Sequence, residues 1–440
     1  MQLLRVDQDL SRHSYYAATA ARDRSFPALE GEQTCDVAVV GGGLAGLSAA
    51  IELADRGHRV TVLEARQVGW GASGRNGGQA IAGLACDPAV IEQQLGLQAS
   101  RAVWDMTLEA LELIDQRCRR FGIDCDWRRG YLGLAVTARK AAELQRWSED
   151  MQRRYAYRTE WIAPARVQDW IASPRFHAGL HDPSGGHLHP LKYTLGLARA
   201  AGSLGVQMFE DSPVEALEAP VGGRHGLRTP RGRVRARQVL LAGNVYLQGI
   251  HSALEARIMP VGTYIVASER LPPELARSLV PSQSAVCDTN FVLDYFRPTA
   301  DHRMLYGGRV SYSTRTPPNL AESMRRRMVR TFPQLEGRQV EYAWGGFVDI
   351  TMNRAPDFGR LPAAGAGGEA GGVYYLQGFS GHGLALTGLA GRVVAEAMDG
   401  DASRFDHFAR LKHRRFPGGR WLRTPALVLG MAYYRLRDLL

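Results

Sequence analysis

The sequence has few cysteines, very little lysine and no apolar run long enough to cross a membrane. Its 440 residues include five cysteines, an odd number, and no Cys-x-x-Cys pair. This usage argues against a disulfide framework and against a zinc ribbon. The longest uncharged apolar run, Thr424 to Tyr434, falls short of the ~20 residues of a membrane helix. We therefore expect a protein of a reducing, cytoplasmic compartment, without membrane insertion.

The basic charge of the chain comes almost entirely from arginine. Lysine and arginine together number 54 against 44 acidic residues, a net charge of +10, and only Lys140, Lys192 and Lys412 are lysines. The arginines are spread along the chain without a nucleic-acid-binding motif, so no nucleic acid is expected as a partner. The composition, 45% apolar and 22% charged, is that of a folded globular protein. No secretory signal is expected, because the first thirty residues lack an apolar core.

A βαβ unit is predicted near the start of the chain. Val37 to Val40 is an apolar run typical of a strand buried in a parallel sheet. It enters Gly41-x-Gly43-x-x-Gly46 at the head of a helical pattern from Leu44 to Arg56, and a second strand, Val60 to Leu63, ends at Glu64. The glycines let a pyrophosphate approach backbone N–H groups, and Glu64 can accept ribose hydroxyls. The pattern indicates an adenine dinucleotide, FAD or NAD, with a ligand-free glycine turn as the alternative.

Two further glycine-rich segments follow strands. Gly69 to Gln79 carries five glycines and is either a loop built for close approach to a ring or phosphate or an ordinary flexible loop. Tyr374 to Gln377 is a predicted strand that enters Gly378 to Gly383, and an apolar helix follows from Leu384 to Met398. If a flavin lies there, the positive end of this helix faces the N1 and C2 edge of the ring.

The rest of the chain alternates helical and strand patterns. Helices are predicted at about 98–121, 139–153 and 191–204, and strands at 131–136, 206–209, 238–242, 261–267, 291–297 and 303–307. The later strands alternate, contain aromatic residues and are punctuated by proline or glycine, which favours an antiparallel sheet separate from the parallel one. Two sheets imply two interleaved domains, and 365–372 is predicted to be a flexible loop.

The glycine motifs at 41–46 and 378–383 together resemble those of the FAD-dependent superfamily of D-amino-acid, glycine and sarcosine oxidases. Within it the chain is most similar to the bacterial γ-glutamylputrescine oxidoreductases, through Ser14 to Ala18, Val68 to Gln79, Ser184 to Leu191 and Phe416 to Pro425. The resemblance implies an α/β fold. Its parts are a Rossmann-like FAD-binding domain with a parallel sheet and, interleaved with it, a substrate domain on a mostly antiparallel sheet.

The predicted division is an N-terminal arm (1–33), a discontinuous FAD-binding domain (34–95, 182–255 and 344–412), a substrate domain (96–181 and 256–343) and a C-terminal helical segment (413–440). The motifs and the resemblance imply a set of FAD contacts. The set comprises Gly41, Gly43, Leu44, Ala45, Gly46, Glu64, Ala65, Gly71, Ala72, Ser73, Arg75, Asn76, Gly77, Gly78, Gln79, Val214, Gly243, Gly378, Phe379, Ser380, Gly381, His382 and Gly383.

Departures from the family pattern bear on the cofactor linkage and the substrate. Gly346 stands where sarcosine oxidases carry the cysteine bonded to the flavin, so the resemblance implies noncovalent FAD. Val348 and Ala385 stand where relatives place an arginine and a lysine that bind the substrate carboxylate. Without them the carboxylate of a bare α-amino acid would be unpaired in a dry site. An amine at the end of a longer chain fits better.

The reaction implied is hydride transfer from a primary or secondary amine to flavin N5, giving an imine, then an aldehyde and ammonia. Oxygen is the expected acceptor and yields hydrogen peroxide, and γ-glutamylputrescine or a related γ-glutamylated polyamine is the expected substrate. The alternatives are a dehydrogenase that passes electrons to a quinone or carrier, an enzyme that acts on aminomethyl groups of RNA, and a non-catalytic flavin protein. A monomer or homodimer is expected.

His382, Arg75 and Asp349 are the candidate catalytic residues. His382 either lies by the ring or caps its helix, and Arg75 either touches the ring or braces its loop. The candidate substrate contacts are Tyr264, Tyr295, Arg297, Phe347, Val348 and Asp349. Either Asp294 or Asp349 is expected to attract the amine, and Arg297 to pair with a distal glutamyl carboxylate. The histidines at 181, 187 and 189 lack further ligands, so no metal is expected.

Overall fold

The computed structural model describes Asp7 and residues 13–290, 293–311, 319–362 and 372–417. The predicted loop at 365–372, apart from Gly372, and the predicted C-terminal helical segment beyond Pro417 lie outside these residues.

The strands of the described residues are β1 (Gly31–Val40), β2 (Val60–Leu63), β3 (Gln79–Ala80), β4 (Arg128–Ala135), β5 (Glu160–Ile162), β6 (Ala178–His187), β7 (Gln207–Phe209), β8 (Ala216–Val221), β9 (Arg224–Arg228), β10 (Gly232–Leu241), β11 (Ile258–Ser268), β12 (Ala285–Asp288), β13 (Tyr295–Pro298), β14 (Met304–Ser311), β15 (Val340–Thr351), β16 (Asp357–Arg360) and β17 (Val373–Gln377).

The helices of the same residues are α1 (Tyr15–Thr19), α2 (Leu44–Asp55), α3 (Pro88–Leu95), α4 (Leu97–Phe121), α5 (Ala138–Tyr155), α6 (Val167–Trp170), α7 (Pro190–Ser203), α8 (Ser252–Glu255), α9 (Pro273–Leu279), α10 (Leu320–Thr331), α11 (Gly383–Met398) and α12 (Phe405–Ala409). Within the described part of the chain, no helix combines the length and apolar content that crossing a bilayer requires.

The first sheet has a parallel centre. Its main strand order is β16-β17-β10-β1-β2-β7, and β17, β10, β1, β2 and β7 pair in parallel. β16, β8 and β9 extend it with antiparallel pairs. All four residues of β2 and the last four of β1 are buried, as expected for strands covered on both faces. The predicted βαβ unit is therefore confirmed.

The second sheet is mostly antiparallel and lies beside the first. Its order is β15-β11-β14-β13-β12-β4-β6-β3, β5 pairs with β6, and the β12–β4 pair is parallel. This agrees with the predicted separate antiparallel sheet. Three predicted domain boundaries fall inside strands, since residue 34 lies in β1 of the first sheet and residues 182 and 344 lie in β6 and β15 of this sheet. A division that keeps strands whole assigns all of β6 and β15 to the substrate side.

Helices α2 and α11 pack tightly over the parallel sheet. A Cβ on Gly391 would lie 2.5 Å from the backbone nitrogen of Ala49, so only glycine permits this approach. Nearly every residue of both helices is buried. Because the two helices begin at the two glycine motifs, this contact brings the motifs to the same edge of the sheet.

Candidate functional site

The first glycine turn joins β1 to α2, and its close packing excludes side chains. Gly41 has a φ of +116°, and a Cβ there would lie 2.7 Å from the carbonyl oxygen of Ala242. A Cβ on Gly46 would lie 2.0 Å from the carbonyl oxygen of Gly41. The N-cap residue of α2, Gly43, supplies no capping side chain. The positive N-terminal end of the helix therefore faces the space beyond the turn.

Glu64 holds this turn from the end of β2. One carboxylate oxygen accepts the N–H of Gly42 at 2.7 Å, and the other accepts the N–H of Arg66 at 2.9 Å. Burial raises the pKa of Glu64. A carboxylate oxygen can accept more than one hydrogen bond, so these two contacts leave Glu64 able to accept the predicted bonds from ribose hydroxyls.

The second glycine loop, 69–79, lies against the first. Ser73 Oγ accepts the N–H of Leu44 at 2.9 Å. Asn76 donates to the carbonyl of Ala72 at 3.0 Å and accepts the N–H of Gly78 at 2.8 Å. A Cβ on Gly74 would lie 2.2 Å from the carbonyl oxygen of Gly69. These hydrogen bonds hold the loop against the first glycine turn, which favours the alternative of a loop built for close approach to a ring or phosphate.

The third glycine loop leads from β17 into α11 and is held by Asp349 of β15. Gly378, Ser380 and Gly381 have φ values of +77°, +53° and +88°. The carboxylate of Asp349 accepts the N–H of Gly378, and its backbone carbonyl accepts the N–H of Ser380 at 2.9 Å. Asp349 is 1% exposed, and burial raises its pKa to about 7. These contacts show a loop-holding function for Asp349, while its binding of an amine stays a prediction.

A cavity of about 550 Å³ lies between the three loops and one face of the second sheet. The predicted site residues that line it are Gly43, Leu44, Ala45, Ala72, Ser73, Arg75, Asn76, Gly77, Gln79, Tyr295, Phe347, Val348, Asp349, Phe379, Ser380, Gly381, His382 and Gly383. Those outside the lining are Gly41, Gly46, Glu64, Ala65, Gly71, Gly78, Val214, Gly243, Tyr264, Arg297 and Gly378. The volume is typical of a ligand site.

Arg75 lines the cavity but is neutralised by the N-terminal arm. Its guanidinium contacts both carboxylate oxygens of Asp7, at 2.9 and 2.5 Å, and donates to the carbonyl of Gly345 at 3.0 Å. Asp7 is fully buried and also accepts the hydroxyl of Tyr246. The guanidinium lies 4.7 Å from the centre of the Trp70 ring. Arg75 is therefore a fixed, paired cation, and its catalytic contribution stays a prediction.

The assignment of Arg297 to a substrate carboxylate is corrected by the structure. Its guanidinium is 2% exposed and donates to the carbonyls of Gly77 and Leu188, each at 3.0 Å, and to the hydroxyl of Tyr16 at 3.1 Å. Arg297 follows Tyr295 on the same face of β13, but the second glycine loop covers it. It ties this loop to the sheet instead.

Tyr264 is also corrected, because it points away from the cavity. Met259, Val261 and Thr263 of β11 line the cavity. Successive side chains of a strand point to opposite faces, so Tyr264 lies on the other face, where it packs with Val245 and Phe347.

Val214 and Gly243 lie outside the cavity lining, and their contact with FAD stays a prediction. Val214 packs against the core of the first sheet, and a Cβ on Gly243 would lie 2.7 Å from the side chain of Leu247.

His382 lies at the start of α11 and does not cap it with its side chain. The ring Nε2 lies 3.3 Å from the carbonyl oxygen of Ala82, and burial lowers the pKa of His382. A carbonyl only accepts, so Nε2 carries the proton of the neutral ring and Nδ1 is unprotonated. The capping alternative is wrong.

The sequence reasoning missed part of the cavity wall and the arm residue that reaches it. Missed residues include Asp7, Tyr131, Tyr246, Met259, Val261, Thr263, Cys287, Asp288 and Arg354. The alternation of Met259, Val261 and Thr263 on a strand is a sequence signal that could have found three of them. Arg175 binds the carboxylate of Asp288 at 2.6 Å and balances its charge.

The described residues fit FAD. Two glycines leave no room for a Cβ at the first turn, the N-terminus of α2 lies beside the cavity, and the carboxylate of Glu64 is directed at the turn. The second and third loops continue the cavity toward the face of the second sheet. This is the donor set that a dinucleotide pyrophosphate and an attached ring require.

Comparison with known proteins agrees with this geometry. A family model described as FAD dependent oxidoreductase, DAO, matches residues 36–397. The γ-glutamylputrescine oxidoreductase of Escherichia coli (strain K12) is 43% identical over 426 residues, which cover 97% of this chain and 98% of that protein. The glycine oxidase of Geobacillus kaustophilus is 27% identical over 84% of this chain and 94% of that protein. The crystal structure of glycine oxidase from that organism superposes with a TM-score of 0.69 at 23% identity, over 83% of this chain and 95% of that one.

Proposed function

Because the chain belongs to the DAO family of FAD-dependent oxidoreductases, whose members act on amines and amino acids, we propose that it oxidises the terminal amine of a γ-glutamylated polyamine. γ-Glutamylputrescine is the first candidate, since the relative that is 43% identical over 97% of the chain carries that substrate in its name.

The charge distribution of the cavity carries this proposal. Among the described lining residues, the cationic side chains are Arg75 and Arg354. Arg75 is paired with Asp7, and Val348 gives the wall an apolar side chain at the position where the family resemblance implies a carboxylate-binding arginine. A substrate with its carboxylate next to the reacting amine would leave a charge unpaired, at a cost of several kcal/mol. An amine that is several methylenes away from its charged end avoids this cost.

The apolar wall of the cavity favours the neutral form of the bound amine. The side chains of Met259, Val261 and Val348 lie on the cavity side of the sheet, and an ammonium ion loses hydration beside such groups, which lowers its pKa and favours the neutral amine. The neutral amine is the reactive form, because its lone pair assists the departure of hydride from the adjacent carbon. When bound, FAD would supply the acceptor for the hydride that leaves the carbon next to the amine nitrogen.

Asp349 and His382 shape the wall nearest the third glycine loop. The Asp349 carboxylate holds the N–H of Gly378, and His382 stays neutral with its proton on Nε2. In the proposed reaction both residues fix the loop, and the unprotonated Nδ1 of His382 can accept a hydrogen bond from the amine. Neither residue adds a positive charge that would repel the incoming ammonium ion.

Arg354 is our candidate for the distal carboxylate of the γ-glutamyl group. It lines the cavity, has a φ of +62° and is half-buried in the turn between β15 and β16. The planar guanidinium suits bidentate binding of a carboxylate. It takes the place that the sequence reasoning had given to Arg297.

Anaerobic mixing of the FAD-loaded protein with γ-glutamylputrescine, putrescine and sarcosine tests the proposal. We expect γ-glutamylputrescine to bleach the flavin absorbance fastest, putrescine more slowly and sarcosine least. Readmission of air with peroxide detection then identifies the acceptor, and we expect one peroxide for each amine oxidised. Bleaching without peroxide would indicate a dehydrogenase instead of an oxidase. A flavin that stays unbleached in all three mixtures would refute the proposed substrate class.

A further inference from the structure

Two cysteines meet outside the cavity. Cys118 lies in the last turn of α4, and Cys125 lies in the connection from α4 to β4. Both are free thiols, and their sulfur atoms are 3.6 Å apart. This separation is non-bonded contact, about 1.6 Å longer than the S–S bond of a disulfide.

The two thiols differ in access. Cys118 is half-buried, whereas Cys125 is 1% exposed and belongs to the core. A small oxidant therefore reaches Cys118 first, and the buried sulfur of Cys125 is already in place behind it. Cys35, Cys86 and Cys287 are all buried.

The charges around the pair also distinguish the two sulfurs. The thiol of Cys125 donates to the sulfur of Cys118 and lowers the pKa of Cys118, whereas burial and the nearby Asp115 and Asp124 oppose this effect. The same contact raises the pKa of Cys125, and burial and Asp126 add to it. Cys118 therefore has the greater thiolate character, which is what a nucleophile toward an oxidant requires.

We propose that Cys118 and Cys125 form a reversible disulfide when the protein meets hydrogen peroxide. The Cys118 thiolate attacks one peroxide oxygen, so an S–O bond forms, the O–O bond breaks, and hydroxide leaves and takes up a proton. The sulfur of Cys125 then attacks the Cys118 sulfur, the S–S bond forms, the S–O bond breaks, and the hydroxide that leaves takes up the Cys125 proton to give water. Overall two thiols lose two electrons and two protons, and one peroxide becomes two waters.

The backbone beside Cys118 is held by a tight turn. Gly122 between the cysteines has a φ of +61° and ends α4, and the N–H of Ile123 donates to the carbonyl of Cys118 at 3.0 Å. These contacts fix the backbone at Cys118, so the disulfide forms when the two sulfurs move about 1.6 Å closer together.

The pair lies next to a helix that contacts the cofactor loop. The carbonyl of Cys125 accepts the N–H of His189 at 2.7 Å, and His189 caps α7. The hydroxyl of Thr194 in α7 donates to the carbonyl of Ser73 at 3.3 Å. If the protein is an oxidase, its own reaction supplies the peroxide, and this source of peroxide rests on the proposed function. The reactivity of the two thiols toward added peroxide does not depend on the proposed function.

The test counts thiols in the full-length, FAD-loaded protein before and after added hydrogen peroxide. After peroxide is removed with catalase, thiols are titrated in denaturant, and a non-reducing digest is analysed by mass spectrometry. We expect the count to fall from five to three, a peptide linking Cys118 to Cys125, and return to five with dithiothreitol. The count should stay at four in Cys118→Ser, whereas the matched control Cys35→Ser should fall from four to two.

Five thiols after peroxide, or Cys118 recovered as sulfinic acid without the linked peptide, would overturn the proposal. Added peroxide needs no turnover, so this result is independent of the substrate. If amines fail to bleach the flavin while the linked peptide forms, the proposed function fails and the thiol inference stands.

Discussion

Replacing Asp349 with asparagine should change how the stability of the protein depends on pH. The Asp349 side chain is 1% exposed, and burial raises its pKa to about 7. An unfolded aspartate has a pKa near 3.9, roughly three units lower. Asparagine has nearly the same shape, keeps an oxygen that can accept the N–H of Gly378, and does not titrate.

The sign follows from the direction of this shift. The folded state binds the Asp349 proton more tightly than the unfolded state, so its contribution to stability is fully present below about pH 4. It is lost as pH rises through about 7. Each pKa unit corresponds to ~1.4 kcal/mol, which gives ~4 kcal/mol over the whole interval. The free energy of unfolding of Asp349→Asn, relative to wild type, should therefore increase as pH rises.

Urea unfolding of both proteins at several pH values between 5 and 8, at constant ionic strength, measures this difference. We expect the free energy of unfolding of Asp349→Asn, relative to wild type, to increase by ~1.4 kcal/mol for each pH unit up to about 7. Asp36→Asn is the control, because Arg59 lowers the pKa of Asp36 instead of raising it. The free energy of unfolding of Asp36→Asn, relative to wild type, should therefore not increase with pH over this range. A relative stability of Asp349→Asn that is flat across this range would refute the reasoning.

Three further substitutions test separate parts of the site. Asp7→Ala leaves the buried guanidinium of Arg75 without its carboxylate partner and should lower the free energy of unfolding, measured in urea, by ~3–5 kcal/mol. An unchanged free energy of unfolding would show that Asp7 does not pair with Arg75. Gly46→Ala should lose FAD on gel filtration, because its Cβ would lie 2.0 Å from a carbonyl oxygen. Gly202→Ala, which meets only Met208 at 3.4 Å, should keep FAD, and equal FAD content in both would contradict the packing argument. Arg354→Met should raise KM for γ-glutamylputrescine roughly 10–100-fold, as the loss of a charged hydrogen bond predicts. The KM for N-butyrylputrescine, which lacks the carboxylate, should stay unchanged, and an equal rise for both amines would exclude carboxylate binding.

The parts of the fold that sequence could predict are those that depend on local pattern. The apolar run before Gly41 and the helical spacing after it predicted β1 and α2, because a buried parallel strand and a helix entering a glycine turn leave distinct periodicities. The 25-residue helix α4 was predicted to within one residue at its start for the same reason.

The errors concern which face or neighbour a side chain meets. Arg297 follows Tyr295 on the cavity-facing side of its strand, but the loop that covers it is more than 200 residues away in sequence. Asp7 reaches Arg75 across 68 positions. Such contacts depend on how separate elements pack, and a single sequence carries no periodic signal for them. The orientation of Tyr264, in contrast, could have been predicted from the alternation of its strand.

The central claim is that the cavity oxidises an amine whose carboxylate is far from the reacting carbon. Stopped-flow reduction of the FAD-loaded protein under anaerobic conditions, with γ-glutamylputrescine and glycine at equal concentrations, tests it most directly. We expect rapid bleaching of the flavin by γ-glutamylputrescine and little by glycine. Faster bleaching by glycine would show that the site accepts a carboxylate beside the reacting amine, and it would refute the proposed substrate class.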